Sequence, residues 1–418
     1  MATAHASITN WAGNITFAPS HLHRPESVDE LRRIVAHSPK IRALGTGHSF
    51  SRVADTAHDL VQLDRLPRRV VIDHDASTVT VTGGMRYADL IYLLHQERLA
   101  LANLASLPHI SIAGACSTGT HGSGDTQRCL AASVAGLEVV GPEGDLVELS
   151  RDVDGDEFAG SVVALGALGI ISKVTLDVQP AYPMAQRVHA LVPLDEVASS
   201  LDEVFGAAYS VSLFTDWRAT GDVWLKRRLD QPETAWDGGR RAGVPMHPVP
   251  GMPVELSTDQ LDVAGPWHER LPHFRPELTP GAGEELQSEF YLPRAAAPAA
   301  FAAIREIADL VAPVIHIAEV RTVRGDDLWL SPAYHRDTVT FHFTWVDDLD
   351  VVGPVLAEVE KRLRPLGARP HWGKLTAAGP AEIVAGYERA ADFAELMRKR
   401  DPEGKFRNAF VDGLFGSL

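Results

Sequence analysis

Three short stretches in the second half of the chain place polar or charged side chains two residues apart: Gln287-Ser288-Glu289, Glu319-Val320-Arg321 and His342-Phe343-Thr344. In an extended strand residues i and i+2 share a face, so each pair would project in one direction. The intervening and flanking Val320, Phe341, Phe343 and Trp345 suit the opposite, buried face. Upstream of Glu319 the positions expected on its own face are Ile315 and Ile317, so that face turns from apolar to charged along the strand, as it would where a pocket opens at a sheet end. A solvated sheet face would carry the same pattern, because exposed charge pairs on strands are nearly neutral energetically. Lys374 follows His371-Trp372-Gly373 in a short aromatic and glycine segment. On a surface it is an ordinary cation. Enclosed beside Glu319 and Arg321 it must pair with them or meet substrate hydroxyls, since unpaired buried charges are costly.

The first half carries a second kind of chemistry. A short apolar strand at 41–44 runs into Gly45-Thr46-Gly47-His48-Ser49, where two glycines let backbone amides approach an anion and His48 stands at the mouth of the turn. A longer glycine-rich loop spans 105–124, with Ser111, Ser117, Thr118 and Thr120 as hydroxyl donors. Gly114 to Thr120 has the glycine spacing of an ATP-binding loop, but Thr120 stands where lysine is required, and neither loop reads Gly-x-Gly-x-x-Gly between strand and helix. ATP hydrolysis and a standard dinucleotide fold are thereby excluded. Two separate glycine loops imply a long diphosphate ligand gripped from two sides.

The elements that must hold these groups follow from periodicity. Ser27 and Glu30 form a capping box for a helix through Leu31, Ile34 and Val35. A strand is expected over 73–82, ending at Gly83-Gly84, and Tyr87, Leu90, Ile91 and Leu94 then recur at helical spacing. A hairpin is expected at 137–149 around Pro142-Glu143-Gly144, then a strand at 170–178, and Pro180 and Pro183 bracket a boundary between 1–180 and 181–418. The 418 residues suffice for two or three domains, and a net charge of −16 argues against nucleic acid or an anionic membrane as partner. Cys116 and Cys129 give no disulfide framework or metal spacing, residues 1–10 lack a targeting pattern, and no apolar run is long enough to span a membrane. A soluble protein of the reducing cytoplasm is expected. No metal is expected either: His23, His58, His95 and His335 read as surface or structural residues, and His268 and His273 as packing groups.

The pairing of Gly45-Thr46-Gly47-His48-Ser49 with the 105–124 loop resembles the FAD-binding domain of the vanillyl-alcohol oxidase and p-cresol methylhydroxylase superfamily. The stretches 211–218 (VSLFTDWR), 246–253 (MHPVPGMP), 266–275 (PWHERLPHFR) and 371–374 (HWGK) are similar to the alditol oxidases, relatives of the aldonolactone oxidases. The resemblance implies an α+β fold: an FAD-binding domain at 1–180, and at 181–418 a substrate domain whose antiparallel sheet roofs the flavin, with the C-terminal segment packing back near it. It implies oxidation of the terminal primary alcohol of xylitol, sorbitol or a similar polyol by O2, with hydrogen peroxide as co-product, in a monomer. An aldonolactone oxidase or dehydrogenase is the neighbouring alternative.

Residue by residue, the resemblance assigns FAD contacts to Ala43, Leu44, Gly45, Thr46, Gly47, His48, Ser49, Ala105, Ser111, Gly114, Ser117, Thr118, Gly119, His121, Gly122, Ile171 and His371. It makes His48 the covalent link to the 8α-methyl carbon, and a single one, because 107–114 contains no cysteine. It assigns substrate hydroxyls to Ser106, Gln287, Glu319, Arg321, His342 and Thr344, and the polarisation or deprotonation of the reacting hydroxyl to Arg321 and Lys374, with Glu319 in the catalytic group. Ala105 aligns with a position that gates O2.

Overall fold

The computed structural model describes residues 8–277 and 284–418. Residues 1–7, part of the stretch read above for a targeting signal, lie outside it. In the first half, strands His21–His23 and Ile41–Ala43 flank Asp59–Val61 in a small parallel sheet. Helix Val28–His37 starts where expected: Ser27 Oγ accepts from the Glu30 amide at 3.2 Å. The Glu30 carboxylate, however, accepts from the Glu26 amide at 2.8 Å and not from Ser27, so the reciprocal bond sits one residue further out. Leu31 and Val35, one turn apart, bury against Ile41, Val61, Val140 and Ile170.

A five-stranded antiparallel sheet runs in the order Leu146–Ser150, Val134–Val140, Ile170–Asp177, Thr78–Thr82, Val70–Asp73. The single strand expected over 73–82 is thus the end of a hairpin. Asp73 Oδ1 accepts from the amides of Asp75 and Ala76 at 3.0 and 2.9 Å, and Ser77 has φ +54°, which together reverse the chain. Helix Tyr87–Gln96 buries Tyr87, Leu90, Ile91 and Leu94, as its spacing predicts. The 105–124 stretch is not wholly loop, because Ile112–Ser117 forms a short helix.

The second sheet begins at Pro183 and is antiparallel throughout. Its central order is Pro183–Pro193, Thr220–Arg228, Ser210–Thr215, Ile315–Val323, Thr338–Val346, Glu285–Pro293. One face carries Val211, Leu213, Val320, Phe341, Phe343 and Trp345 against helices Ala297–Arg305 and Leu349–Leu363, with Trp217 stacked 5.6 Å from Phe341. The other face turns to the first half of the chain.

Ile315 does not share the face of Glu319. Pairing with Thr338–Val346 slips between Ile315 and Ile317, a bulge at His316 that sends Ile315 into the helix-covered core while Ile317 stays on the site face with Val188, Phe214 and Trp224. After Arg369–Pro370 the chain crosses back, and Phe393, Met397, Val411 and Phe415 join the cluster that holds Val79, Val81 and Leu90. The buried Arg42 guanidinium fastens this return: it donates to the carbonyls of Phe406 (2.6 Å), Leu165 (2.6 Å), Gly166 (2.9 Å) and Val53. Four carbonyl partners satisfy a charge that burial alone would penalise. No helix among the described residues is long and apolar enough to cross a membrane.

Candidate active site

A cavity of about 790 Å³ lies between the two glycine loops and the site face of the second sheet. That is the size of a large small-molecule site. Gly47 has φ +73°, a conformation that excludes most side chains, and a Cβ on Gly45 would run into Ser111 Oγ. The loops are tied together by the Ser111 amide donating to Thr46 Oγ1 at 3.1 Å. His48 Nδ1 lies 3.0 Å from that same hydroxyl oxygen, and its ring stacks on Trp11 at 5.5 Å. Burial, with Lys374 and His109 nearby, pushes the His48 imidazole down to about 4. It is therefore neutral near pH 7, with a nitrogen lone pair available to a carbon electrophile.

The lining includes Ala43, Leu44, Gly45, Thr46, Gly47, His48, Ser49, Ala105, Ser111, Gly114, Ser117, Thr118, His121, Ile171 and His371. Gly119 and Gly122, expected among the cofactor contacts, are not part of it. Gly119 has φ +71° with Pro332 against it, and its carbonyl accepts from the Tyr291 hydroxyl at 3.1 Å; a side chain on Gly122 would collide with Asn103 and Leu104. The packing around both leaves no room for a side chain. Gly83, Gly84, Gly166 and Gly169 line the cavity instead and carried no assignment. Cys116 is buried beside the Tyr87 hydroxyl (3.7 Å), and burial raises its thiol to about 12. Among the described residues no group of three or more His, Cys, Asp or Glu could hold a metal ion.

Strand register builds the charged face in rows. Glu319 pairs with His342, which pairs with Glu289; one row along, Ile317 pairs with Thr344 and Thr344 with Gln287; on the other side Arg321 pairs with Thr340. Arg321, 6% exposed, donates to Glu289 Oε1 at 2.7 Å, its Nε lies 3.5 Å from Glu319 Oε2, and it reaches Ser106 Oγ at 3.5 Å. Burial alone would raise the Glu319 carboxyl, but Arg321 and His273 overcome it and hold it well below the usual carboxylate range. The Lys374 ammonium donates to the Gln287 amide oxygen, which lies 3.1 Å from His342 Nε2. Burial pushes Lys374 down to about 8, against the pull of Glu289 and Glu285. His342 and His371 fall to about 3, burial being the larger cause for both. Two cations thus meet two carboxylates in one enclosed face, with polar groups left to receive hydroxyls.

Two residues of this face had no assigned role. Glu289 belonged to a recognised polar pair, yet only the fold shows that it bonds both Arg321 and, at 2.9 Å, His121. His273, read as packing, reaches Glu319 Oε1 at 2.9 Å, and the amides of His273 and Phe274 donate to the Ser106 carbonyl at 3.1 and 3.3 Å. Its neighbour in sequence, His268, does pack, against Tyr92 and His95. Nothing periodic marks His273, because a long loop delivers it. The outer lining of His247, Met252, Phe274, Glu285 and His316 is likewise assembled by the tertiary fold.

Residues 19–150 match the family described as FAD binding domain, and residues 284–414 the family described as D-arabinono-1,4-lactone oxidase. The chain is 49% identical over 415 residues to an alditol oxidase of Streptomyces sp., covering 98% of this chain and 99% of that protein. It is 28% identical over 432 residues to an L-gulono-1,4-lactone dehydrogenase of Mycobacterium tuberculosis, covering 98% and 99%. Cholesterol oxidase from Brevibacterium sterolicum shares the fold with a TM-score of 0.78 at 14% identity, over 98% of this chain and 96% of that one. Glucooligosaccharide oxidase from Acremonium strictum, with 6-S-cysteinyl, 8α-N1-histidyl FAD, does so at 0.72 and 16%, over 96% and 93%. With 49% identity to an alditol oxidase over nearly the whole chain, an FAD-binding domain match and a charged sheet face closing one cavity, the chain belongs to the alditol oxidase family of FAD-dependent oxidoreductases.

Proposed function

We propose that this protein oxidises the terminal primary alcohol of alditols such as xylitol and sorbitol to the aldose, with O2 reduced to hydrogen peroxide. The observation that carries this reading is the enclosed Arg321, Lys374 and Glu319 cluster facing the same cavity as His48. Residues 1–180 form the FAD-binding part and 181–418 the substrate part, whose C-terminal helices pack back onto the first. The residues fit the cofactor: a glycine cradle with no room for a Cβ at Gly45, donor hydroxyls on Ser111 and Ser117, and a neutral imidazole at the rim. FAD bound there supplies the hydride acceptor and, with O2, the route to peroxide, and it is held covalently through His48 alone.

The chain's own residues do the positioning. Ser106, Gln287, His342 and Thr344 receive substrate hydroxyls, and Glu319 accepts one more. Arg321 and Lys374 stabilise the negative charge that grows on the reacting oxygen, in a cavity where such charge is poorly screened. Lys374 is the one of the two that can release or retain a proton near neutral pH, since Arg321 stays charged throughout. Every group named lies on one chain, and the protein is taken to act as a monomer. The two cysteines are unpaired and buried, which suits the cytoplasm.

The test is peroxide formation by the purified protein. Xylitol and sorbitol give peroxide in one-to-one ratio with aldose, and L-gulono-1,4-lactone gives far less; the reverse order would make the protein a lactone oxidase. Ala105 lines the cavity beside Ser106, and a larger side chain there would take up cavity space. Ala105→Leu slows reoxidation of the reduced enzyme by air about tenfold or more and leaves anaerobic reduction by sorbitol nearly unchanged. If both half-reactions fall together, Ala105 is no gate.

A further inference from the structure

The five side chains His121, Glu289, Arg321, Glu319 and His273 form one continuous buried chain of polar contacts across the site, from the second glycine loop to the strap at 273. Its first link has an unusual donor count. His121 Nδ1 lies 2.7 Å from the Gly122 carbonyl oxygen, which only accepts, so that nitrogen carries a hydrogen. His121 Nε2 lies 2.9 Å from Glu289 Oε1. The same oxygen accepts from the Arg321 guanidinium at 2.7 Å, a permanent cation that keeps the carboxyl ionised. With Oε1 bare, the 2.9 Å contact needs its hydrogen on Nε2 as well. Both ring nitrogens are then protonated.

We propose that His121 is a buried imidazolium locked against the Glu289 carboxylate, and that this pair is the positioning element that fixes Arg321 for the oxidation of the substrate alcohol. The side chains of His121 and Glu289 are 1% and 2% exposed, so water neither screens the pair nor supplies alternative partners. The surroundings agree: Tyr291 packs edge-on against the imidazole at 5.0 Å and His371 lies 6.5 Å away. His371 is neutral, so no second cation opposes the charge from that side; Lys374 is engaged with Gln287, and Arg321 shares the Glu289 carboxylate with His121. One loop that grips the cofactor is thereby tied to the arginine that meets the substrate. Without the imidazolium, Glu289 would keep its one contact to Arg321 but lose its anchor to the second glycine loop and leave its own charge half compensated.

The inference rests on the polyol oxidase reading for its kinetic consequence but not for its protonation state, and the test separates the two. In FAD-loaded protein labelled with 15N-histidine, the signals assigned to His121 by their loss in His121→Asn show both ring nitrogens protonated near neutral pH. In Glu289→Gln they change to one protonated and one bare nitrogen. A bare nitrogen in the parent protein overturns the proposal whatever the substrate is. For the kinetic part, Glu289→Gln and His121→Asn each slow anaerobic flavin reduction by sorbitol about 10- to 100-fold with FAD content retained, and the double variant falls no further, as expected of groups acting as a unit. Single effects that multiply in the double variant, or rates equal to the parent, contradict the positioning role. A parent protein that sorbitol does not reduce sinks the polyol reading and leaves the nitrogen signals to decide the rest.

Discussion

Lys374→Met lowers kcat with sorbitol by at least about 100-fold while KM changes far less, and Arg321→Leu does the same or more. The reason is differential: the neutral alcohol gains little from a cation, whereas the oxygen gains negative charge as its proton departs, before hydride loss from carbon turns it into a carbonyl oxygen. Both cations sit in an enclosed face and each is already held, Lys374 by Gln287 and Arg321 by Glu289, so neither has to reorganise as that charge appears. Arg321→Leu also strips Glu289 and Glu319 of their shared counter-charge, and its loss of thermal stability should exceed that of Lys374→Met. Initial rates over a range of sorbitol concentrations decide the matter. A raised KM at unchanged kcat would reduce both cations to ordinary substrate contacts.

His48→Ala leaves at most dissociable FAD and removes most of the activity. The imidazole is enclosed between Trp11 and the Thr46 hydroxyl and kept neutral, the state in which a ring nitrogen can bond to carbon. Acid precipitation checks this directly: the parent protein retains its yellow colour in the pellet, and the peptide containing His48 carries the mass of the flavin. Complete release of the flavin into the supernatant of the parent protein would refute the covalent link. Alanine also removes the stacked partner of Trp11, so the FAD content of the variant should be measured after reconstitution with excess FAD.

What could be read from sequence and what could not divide along physical lines. The polar pairs at 287–289, 319–321 and 342–344 were legible because strand alternation is a local rule, and register then brought them into adjacent rows. The glycine turn at 45–47 was legible because its glycines sit at a strand end. Ile315 was misplaced because a bulge adds one residue without changing composition, and every position beyond it changes face. Gly119 and Gly122 look like cradle glycines, but in a loop rich in glycine the sequence does not say which approach a ligand and which approach backbone. The hairpin at Asp73 was hidden by apolar residues on both of its arms. His273 and Glu289 act through partners far away in the chain, 46 residues for Glu319 and 168 for His121, and no spacing rule reaches across such distances.

The most direct measurement takes the parent enzyme through its two half-reactions separately. Mixed with sorbitol in the absence of air, the protein loses its yellow absorbance within its turnover time, and admitting air restores the colour rapidly with one hydrogen peroxide formed per flavin. No bleaching by sorbitol or xylitol, with bleaching by an aldonolactone, would contradict the substrate assignment. Bleaching followed by very slow recovery in air, with fast turnover on an artificial electron acceptor, would show a dehydrogenase where the account requires an oxidase.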